Sequence, residues 1–353
     1  MALDRVLGID VGGTKAIGYV ARPDEKGGQP IHRKHFVCSD YRSLQEVIDK
    51  LQKDSGSKFS HVCAAVAGPV TNRKVTITNL DWAEITESSI AKQLGIDDSR
   101  VKLVNDMVGQ GASLDVIGEN PSAVYHFPNT GFFNGDFSRT KKWSFIAPGT
   151  GLGKSDIFFD NYKVRISDSE GGHIKFGPSN PVEADLLQYL QRDVHFVSQE
   201  TVLQGSALKK IYDFFLEKCP GEGQPDWLKE AFKKETPSAV VTKVAMGQYE
   251  GKYDSHCKLA YDTYCSILGS VAGDEAMRIK GGVVIGGGIF PKIKDGLQET
   301  GFMRAYSGRD LPSMVTLAGQ MPLVGILNSD AGVIGATEIA KPINESRFEV
   351  VIS

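Results

Sequence analysis

Apolar residues along the chain gather in short continuous runs separated by glycine turns. RVLGID at 5–10 reads as a buried strand, VGGT as a tight turn and AIGYVAR as a second strand. A polar, glycine-rich loop from Asp24 to Pro30 leads to a third short strand, HFVCS. A helix follows Ser39, because Leu44, Val47, Ile48 and Leu51 recur along one stripe. HVCAAVAG predicts a strand ended by Gly68-Pro69, and the alternation in VTIT (75–78) predicts a strand with one exposed face. A helix over 86–94 and a strand over VKLVND close this part. Strands alternating with helices are the pattern of a layered α/β domain.

The second part repeats the design. Phe127–Lys142 is turn-rich and polar with exposed-looking phenylalanines, and reads as a surface excursion between strands. WSFIAPGTGLG then follows the N-terminal plan of strand and glycine turn. KSDIFFD and YKVRIS predict a hairpin around Asp160-Asn161. From Pro181 to Ile279 the pattern is mostly helical, with a Pro- and Gly-containing joint over 219–240. GGVVIGGGIF is a buried strand with a third glycine turn, PLVGIL a final strand, and Asp330–Ala340 a closing helix. No repeat of 20–50 residues is visible, which excludes a solenoid.

The 353 residues suggest two domains. The predicted division is 1–112, completed by a C-terminal helix over 330–345, and 113–329. Forty Lys and Arg against 43 Asp and Glu leave no basic excess for a nucleic-acid backbone. No apolar run is long enough for a transmembrane helix. MALDRVLGID enters a strand at once, leaving no room for a signal peptide or an N-terminal DNA-binding domain. Five irregularly spaced cysteines without a Cys-x-x-Cys point to a reduced cytoplasmic protein.

Three glycine turns carry the candidate chemistry. Gly12 and Gly13 follow a strand, so backbone N–H groups can approach phosphate oxygens, and Thr14 adds a hydroxyl. Asp10, at the strand end, is placed to orient Mg²⁺ through its water shell. A bare hairpin explains the same glycines. Gly149, Thr150 and Gly151 repeat this turn in the second half. Gly286, Gly287 and Gly288 open a helix, which suits a nucleotide, although close helix–strand packing would also call for them. The Walker P-loop and the dinucleotide fingerprint are both absent.

Two polar clusters complete the candidates. Asn105-Asp106 ends a strand, where a carboxylate is placed as a general base or simply caps the next helix. Glu170-Gly171-Gly172-His173 brings a carboxylate and an imidazole together on a bent backbone. Glu200 begins a helical segment, where its charge suits the dipole.

In order along the chain, DVGGT (10–14), AVAGPV (65–70), TNLDW (78–82), VND (104–106), GTGLG (149–153), SEGGH (169–173), VSQETVLQG (197–205) and GGVVIGGGI (281–289) resemble the bacterial-type glucokinases. The resemblance covers nearly the whole chain. It implies the two-domain, actin-like ATPase (ribonuclease H-like) α/β fold and ATP-dependent phosphorylation of glucose at its 6-hydroxyl. It implies that Asp106 is the base, and that Asn79, Asn105, Asp106, Glu170, His173 and Glu200 bind the sugar. The turns near Asp10 and Gly149 would hold ATP phosphates with Mg²⁺, and Gly286–Gly288 would face the adenosine. A homodimer is the implied assembly. Met107 stands where the family usually has Phe, and the 127–142 excursion is long. The alternatives are a kinase for another hexose or N-acetylhexosamine, and an actin-like or chaperone-type ATPase without a sugar.

Overall fold

The computed structural model describes residues 4–77, 80–221 and 223–351. The first part contains β1 (Asp4–Val11), β2 (Lys15–Ala21), β3 (His32–Val37), α1 (Leu44–Ser55) and β4 (Lys58–Val66). The two-residue strands β5 (Lys74–Val75) and β6 (Ile85–Thr86), then α2 (Glu87–Leu94), β7 (Val101–Asn105) and α3 (Asp106–Ile117), follow. Next come β8 (Val124–His126), β9 (Lys142–Pro148), β10 (Leu152–Asp160) and β11 (Lys163–Ser169). The helical stretch holds α4 (Pro181–Leu190), α5 (Gln199–Leu203), α6 (Ala207–Lys218), α7 (Asp226–Lys234), α8 (Pro237–Ala245) and α9 (Ser255–Ile279). The chain ends with β12 (Gly282–Ile285), α10 (Phe290–Ile293), α11 (Phe302–Ser307), α12 (Pro312–Gln320), β13 (Leu323–Ile326), α13 (Ala331–Ala340) and β14 (Phe348–Val351).

Two large sheets result, with orders β3-β2-β1-β4-β7 and β14-β11-β10-β9-β12-β13-β8, beside the small pair β5-β6. In each, an antiparallel three-stranded meander (β1-β2-β3 or β9-β10-β11) is extended from its first strand by parallel neighbours (β4 and β7, or β12 and β13). The glycine turns at 12–14 and 149–151 therefore occupy equivalent places, between the first two strands of each meander. The parallel strands next to each meander, β4 over Val62–Val66 and β12 throughout, are continuous buried apolar runs, as expected where helices cover a sheet.

Helices α3 and α13 lie against each other between the two sheets. Their contact requires glycine, since a Cβ at Gly335 would run into the Gly109 carbonyl and one at Gly109 would come 2.8 Å from the Ala65 methyl. On the far face of the first sheet, α1 and α2 close the core. Ser43 caps α1 by accepting from the Glu46 N–H (3.3 Å), and Gly56 ends it at φ 61°. The long α9 underlies the second sheet with α6, α8 and α11 around it.

Several expectations are corrected. β3 begins at His32 and ends at Val37, because residues 38–40 turn into a 3₁₀ segment. The strand expected over 75–78 pairs only through Lys74–Val75, and Thr78 lies outside the described residues. The excursion at 127–142 is not a collection of exposed rings. Phe127, Phe133 and Phe137 are buried, and only Phe132 is exposed. Phe133 and Phe137 pack on Trp143 with centroids 4.5–5.6 Å apart, and the Trp143 Nε1–H donates to the Phe137 carbonyl (2.7 Å).

Candidate active site

The site begins where β7 becomes α3. Asn105 is the N-cap: its Oδ1 accepts from the Met107 N–H (2.8 Å), while its Nδ2–H donates to the Gly68 carbonyl (3.1 Å). The helix-capping alternative therefore applies to Asn105, whose cap also pins the Gly68-Pro69 bend. Asp106 is the first residue of α3, and its Oδ1 shares the Met107 N–H at 3.0 Å. Burial pushes its carboxyl up to about 6. The N–H groups of Met107 and Asp106 pull it down, and Asp168 and Glu170 raise it further.

Asp10 stands at the end of β1, beside α13: a Cβ at Gly332 would come 2.5 Å from its Oδ2. Burial, then Asp106 and Asp330, push its carboxyl up to about 7. Asp330 is neutralised differently. Burial works to raise its carboxyl, but Arg33 (Nε 2.8 Å, Nη2 3.0 Å) and the Tyr19 hydroxyl bind it and leave it below its ordinary range. Asp10 and Asp106 are thus half-buried acids, and the charge of Asp106 helps raise Asp10.

The second glycine turn is closed by Gly149 N–H donating to the Gly151 carbonyl (2.8 Å), and the Gly149 carbonyl accepts from Gly205 N–H (2.7 Å). The third turn joins it because β12 pairs with β9, and Ile289 N–H donates to the Pro148 carbonyl (3.3 Å). Glycine is required for different reasons at different positions. Gly287 has φ +74° and backs onto the Pro148 carbonyl, and Gly286 backs onto the Phe145 ring at 2.5 Å. These two serve packing. A Cβ on Gly149 or Gly288 would meet no described atom within 4 Å beyond its chain neighbours, and one on Gly12 would meet first the Lys15 carbonyl at 3.5 Å. Gly12 and Gly13 also lack positive φ. At Gly12, Gly149 and Gly288, the local fold would tolerate a side chain that an approaching ligand would not.

Glu170, His173 and Glu200 form the opposite wall. His173 Nε2 lies 3.8 Å from Glu170 Oε2, and its Nδ1 lies 4.0 Å from Glu200 Oε1. Glu200 Oε2 accepts from Leu152 N–H (2.8 Å), which ties α5 to the second glycine turn. Asn105, Asp168, Ser169 and Glu170 line a cleft of about 140 Å³ with the Pro69–Thr71 loop. A groove of about 1340 Å³ runs along α9 past Ser266, Ser270 and Arg309 and includes none of these residues. Depth alone does not mark the chemistry here.

The glucokinase family model matches residues 7–343. The chain belongs to the glucokinase family. Its activity is that of the family, ATP-dependent phosphorylation of glucose. A glucokinase of Nostoc punctiforme is 28% identical over 350 residues, covering 94% of this chain and 97% of that protein. Among solved structures, a glucokinase from an Antarctic psychrotroph aligns with TM-score 0.76 at 24% identity, over 95% of this chain and 98% of the other. A ROK family glucokinase from Streptomyces griseus, in complex with glucose and AMPPNP, aligns with TM-score 0.60 at 18% identity, over 95% and 98%. These likenesses carry the fold, which is the actin-like ATPase fold.

In this glucokinase-family chain, Asn79 lies outside the described residues. Two acids escaped the sequence reading as site residues. Asp168 is two positions before Glu170 on β11 and follows from extending that cluster one step upstream. Asp330 has no local signal, since Tyr19 and Arg33 are about 300 positions away in the chain. Among the described residues, no group of three or more His, Cys, Asp or Glu is arranged to hold a metal. The donor set nevertheless fits Mg²⁺, which takes one or two carboxylates and keeps most of its waters. Asp10 offers hard oxygens beside an open glycine turn.

Proposed function

We propose that glucose lies between the Pro69–Thr71 loop and the Glu170–His173 turn, with its 6-hydroxyl against Asp106. The observation that carries this reading is the Asp106 carboxyl itself. It is half-buried at a helix start, with its proton affinity raised to about 6. A base with that affinity is ionised at neutral pH yet still draws a proton from an attacking hydroxyl. Asn105, Glu170, His173 and Glu200 supply acceptors and donors to the other hydroxyls, and Asn79 belongs to the same set.

ATP phosphates would meet the backbone N–H groups at Gly12, Gly13 and Thr14 and at Gly149, Thr150 and Gly151. The adenosine would lie over Gly286, Gly287 and Gly288, where Gly288 is open. Asp10 would hold Mg²⁺ through water, and the ion would spread charge on the transferred phosphoryl group. Phosphoryl transfer needs alignment and charge stabilisation more than covalent help from the protein. We read residues 1–112, with the C-terminal segment 330–345 that contains α13, and residues 113–329 as two lobes that close over the substrates and exclude competing water.

We further propose a cytoplasmic homodimer. Free thiols at Cys38, Cys63, Cys219, Cys257 and Cys265 suit a reducing compartment. Among the described residues no helix is long and apolar enough to cross a membrane. Product analysis of ADP-coupled turnover across glucose, fructose, mannose and N-acetylglucosamine tests the reading. Glucose should give the highest kcat/KM and a 6-phosphate product; stronger turnover of another sugar, or ATP hydrolysis indifferent to sugar, would remove it.

A further inference from the structure

Lys154 is the third residue of β10, just past the second glycine turn, and its side chain is only 4% exposed. A lysine that deep must be paired. Its Nζ donates to Glu275 Oε1 on α9 (2.7 Å) and to Gln199 Oε1 at the start of α5 (2.6 Å). Burial works to raise the Glu275 carboxyl, but Lys154 and then Arg278 hold it below the ordinary range. Arg278 is itself held by Asp156 (2.9 Å), two residues along β10. The ammonium therefore joins β10, α9 and α5.

On its other side, Lys154 adjoins the proposed sugar wall. A Cβ on Gly171 would lie 2.9 Å from Lys154 Cδ, so the Glu170–His173 turn rests directly on the lysine stem. Gln199 N–H donates to the Ile174 carbonyl (2.8 Å), just past His173, and Phe176 N–H donates to the Val197 carbonyl (2.9 Å). Glu200 is the next residue after Gln199. The acids at 170 and 200 come from separate segments, and Lys154 contacts the support of both.

We infer that Lys154, acting through Gln199 and beneath Gly171, is a positioning residue that sets the spacing between Glu170, His173 and Glu200 for glucose. It touches no reacting atom. The inference rests on the proposed sugar site. Polar groups must be held within about 0.5 Å to select a polyol, and a misplacement of about 1 Å can cost up to about 100-fold.

Two variants separate positioning from plain stability. Gln199→Leu cuts the link to α5 and leaves the Lys154–Glu275 pair intact. The double variant Lys154→Met with Glu275→Gln removes both buried charges together, so no lone charge is left behind. Steady-state kinetics of each should show glucose KM raised about 5–20-fold with ATP KM within about twofold, and Gln199→Leu should melt within about 2 °C of wild type. A lowered Tm with glucose KM unchanged in both variants would show a purely structural pair and overturn the inference. If the double variant does not fold, Gln199→Leu alone decides. Wild-type failure to phosphorylate glucose would instead bring down the proposed site, and this inference with it.

Discussion

Replacing Asp106 with Asn should separate catalysis from folding. Asn retains an Oδ1 that can accept the Met107 N–H now shared by Asp106 at 3.0 Å, so the start of α3 survives. What it loses is proton affinity. General-base assistance is typically worth about 10²–10⁴-fold, so kcat for glucose should fall at least about 10². The same change should stabilise the unliganded protein at alkaline pH. Asp106 binds its proton more tightly folded (about 6) than at its ordinary 3.8. Its contribution is therefore most favourable below the unfolded value and is lost as pH rises through about 6. At 1.36 kcal/mol per pH unit, that gap caps the penalty at about 3 kcal/mol at pH 8. Water reaching the cleft reduces it to roughly 1–2 kcal/mol, or about 1–4 °C in Tm for a chain of this size. The assay is coupled glucose 6-phosphate formation beside thermal melts at pH 5 and pH 8. Turnover within about tenfold of wild type would refute Asp106 as base, and a Tm lowered at pH 8 would refute the argument from burial.

Other outcomes follow from the same geometry. Wild-type kcat/KM for glucose, measured from pH 5 to 9, should fall below about pH 6 as Asp106 takes up its proton; a flat profile would contradict it. Glu170→Gln should raise glucose KM about tenfold while leaving ATP KM unchanged, because Glu170 is exposed on the sugar wall and supports no core; an unchanged KM and kcat would make Glu170 only structural. Gly149→Ala should fold normally but weaken ATP binding, since its Cβ enters open space. Gly335→Ala should instead lower stability by about 2 kcal/mol or more, through its collision with the Gly109 carbonyl. Equal melting of the two alanine variants would count against this division of the glycines.

The paired sheets were legible in the sequence because parallel buried strands are unbroken apolar runs, and VLGID, VCAAV and GVVI have no rival reading. The turns at 12–14 and 149–151 showed themselves by recurring after such strands. The sequence predicts helix α3 only as the element that Asn105 or Asp106 caps. It is buried between the two sheets, so Met107, Val108, Ala112, Leu114 and Ile117 form no single stripe. The rings at Phe133 and Phe137 looked exposed because their polar neighbours dominate that stretch, whereas their partner Trp143 lies outside it. Lys154 resembles any charged residue on a strand, and only α9 and α5 reveal it as buried. The influence of Asp106 and Asp330 on Asp10 is likewise invisible in the sequence, because about 100 and more than 300 residues separate them from it.

The most direct measurement is a crystal structure of the protein with glucose bound. The account predicts the glucose 6-hydroxyl within about 3 Å of an Asp106 carboxylate oxygen, with Glu170, His173 and Glu200 on the remaining hydroxyls. A hexose seated elsewhere, or one whose 6-hydroxyl points away from Asp106, would contradict it.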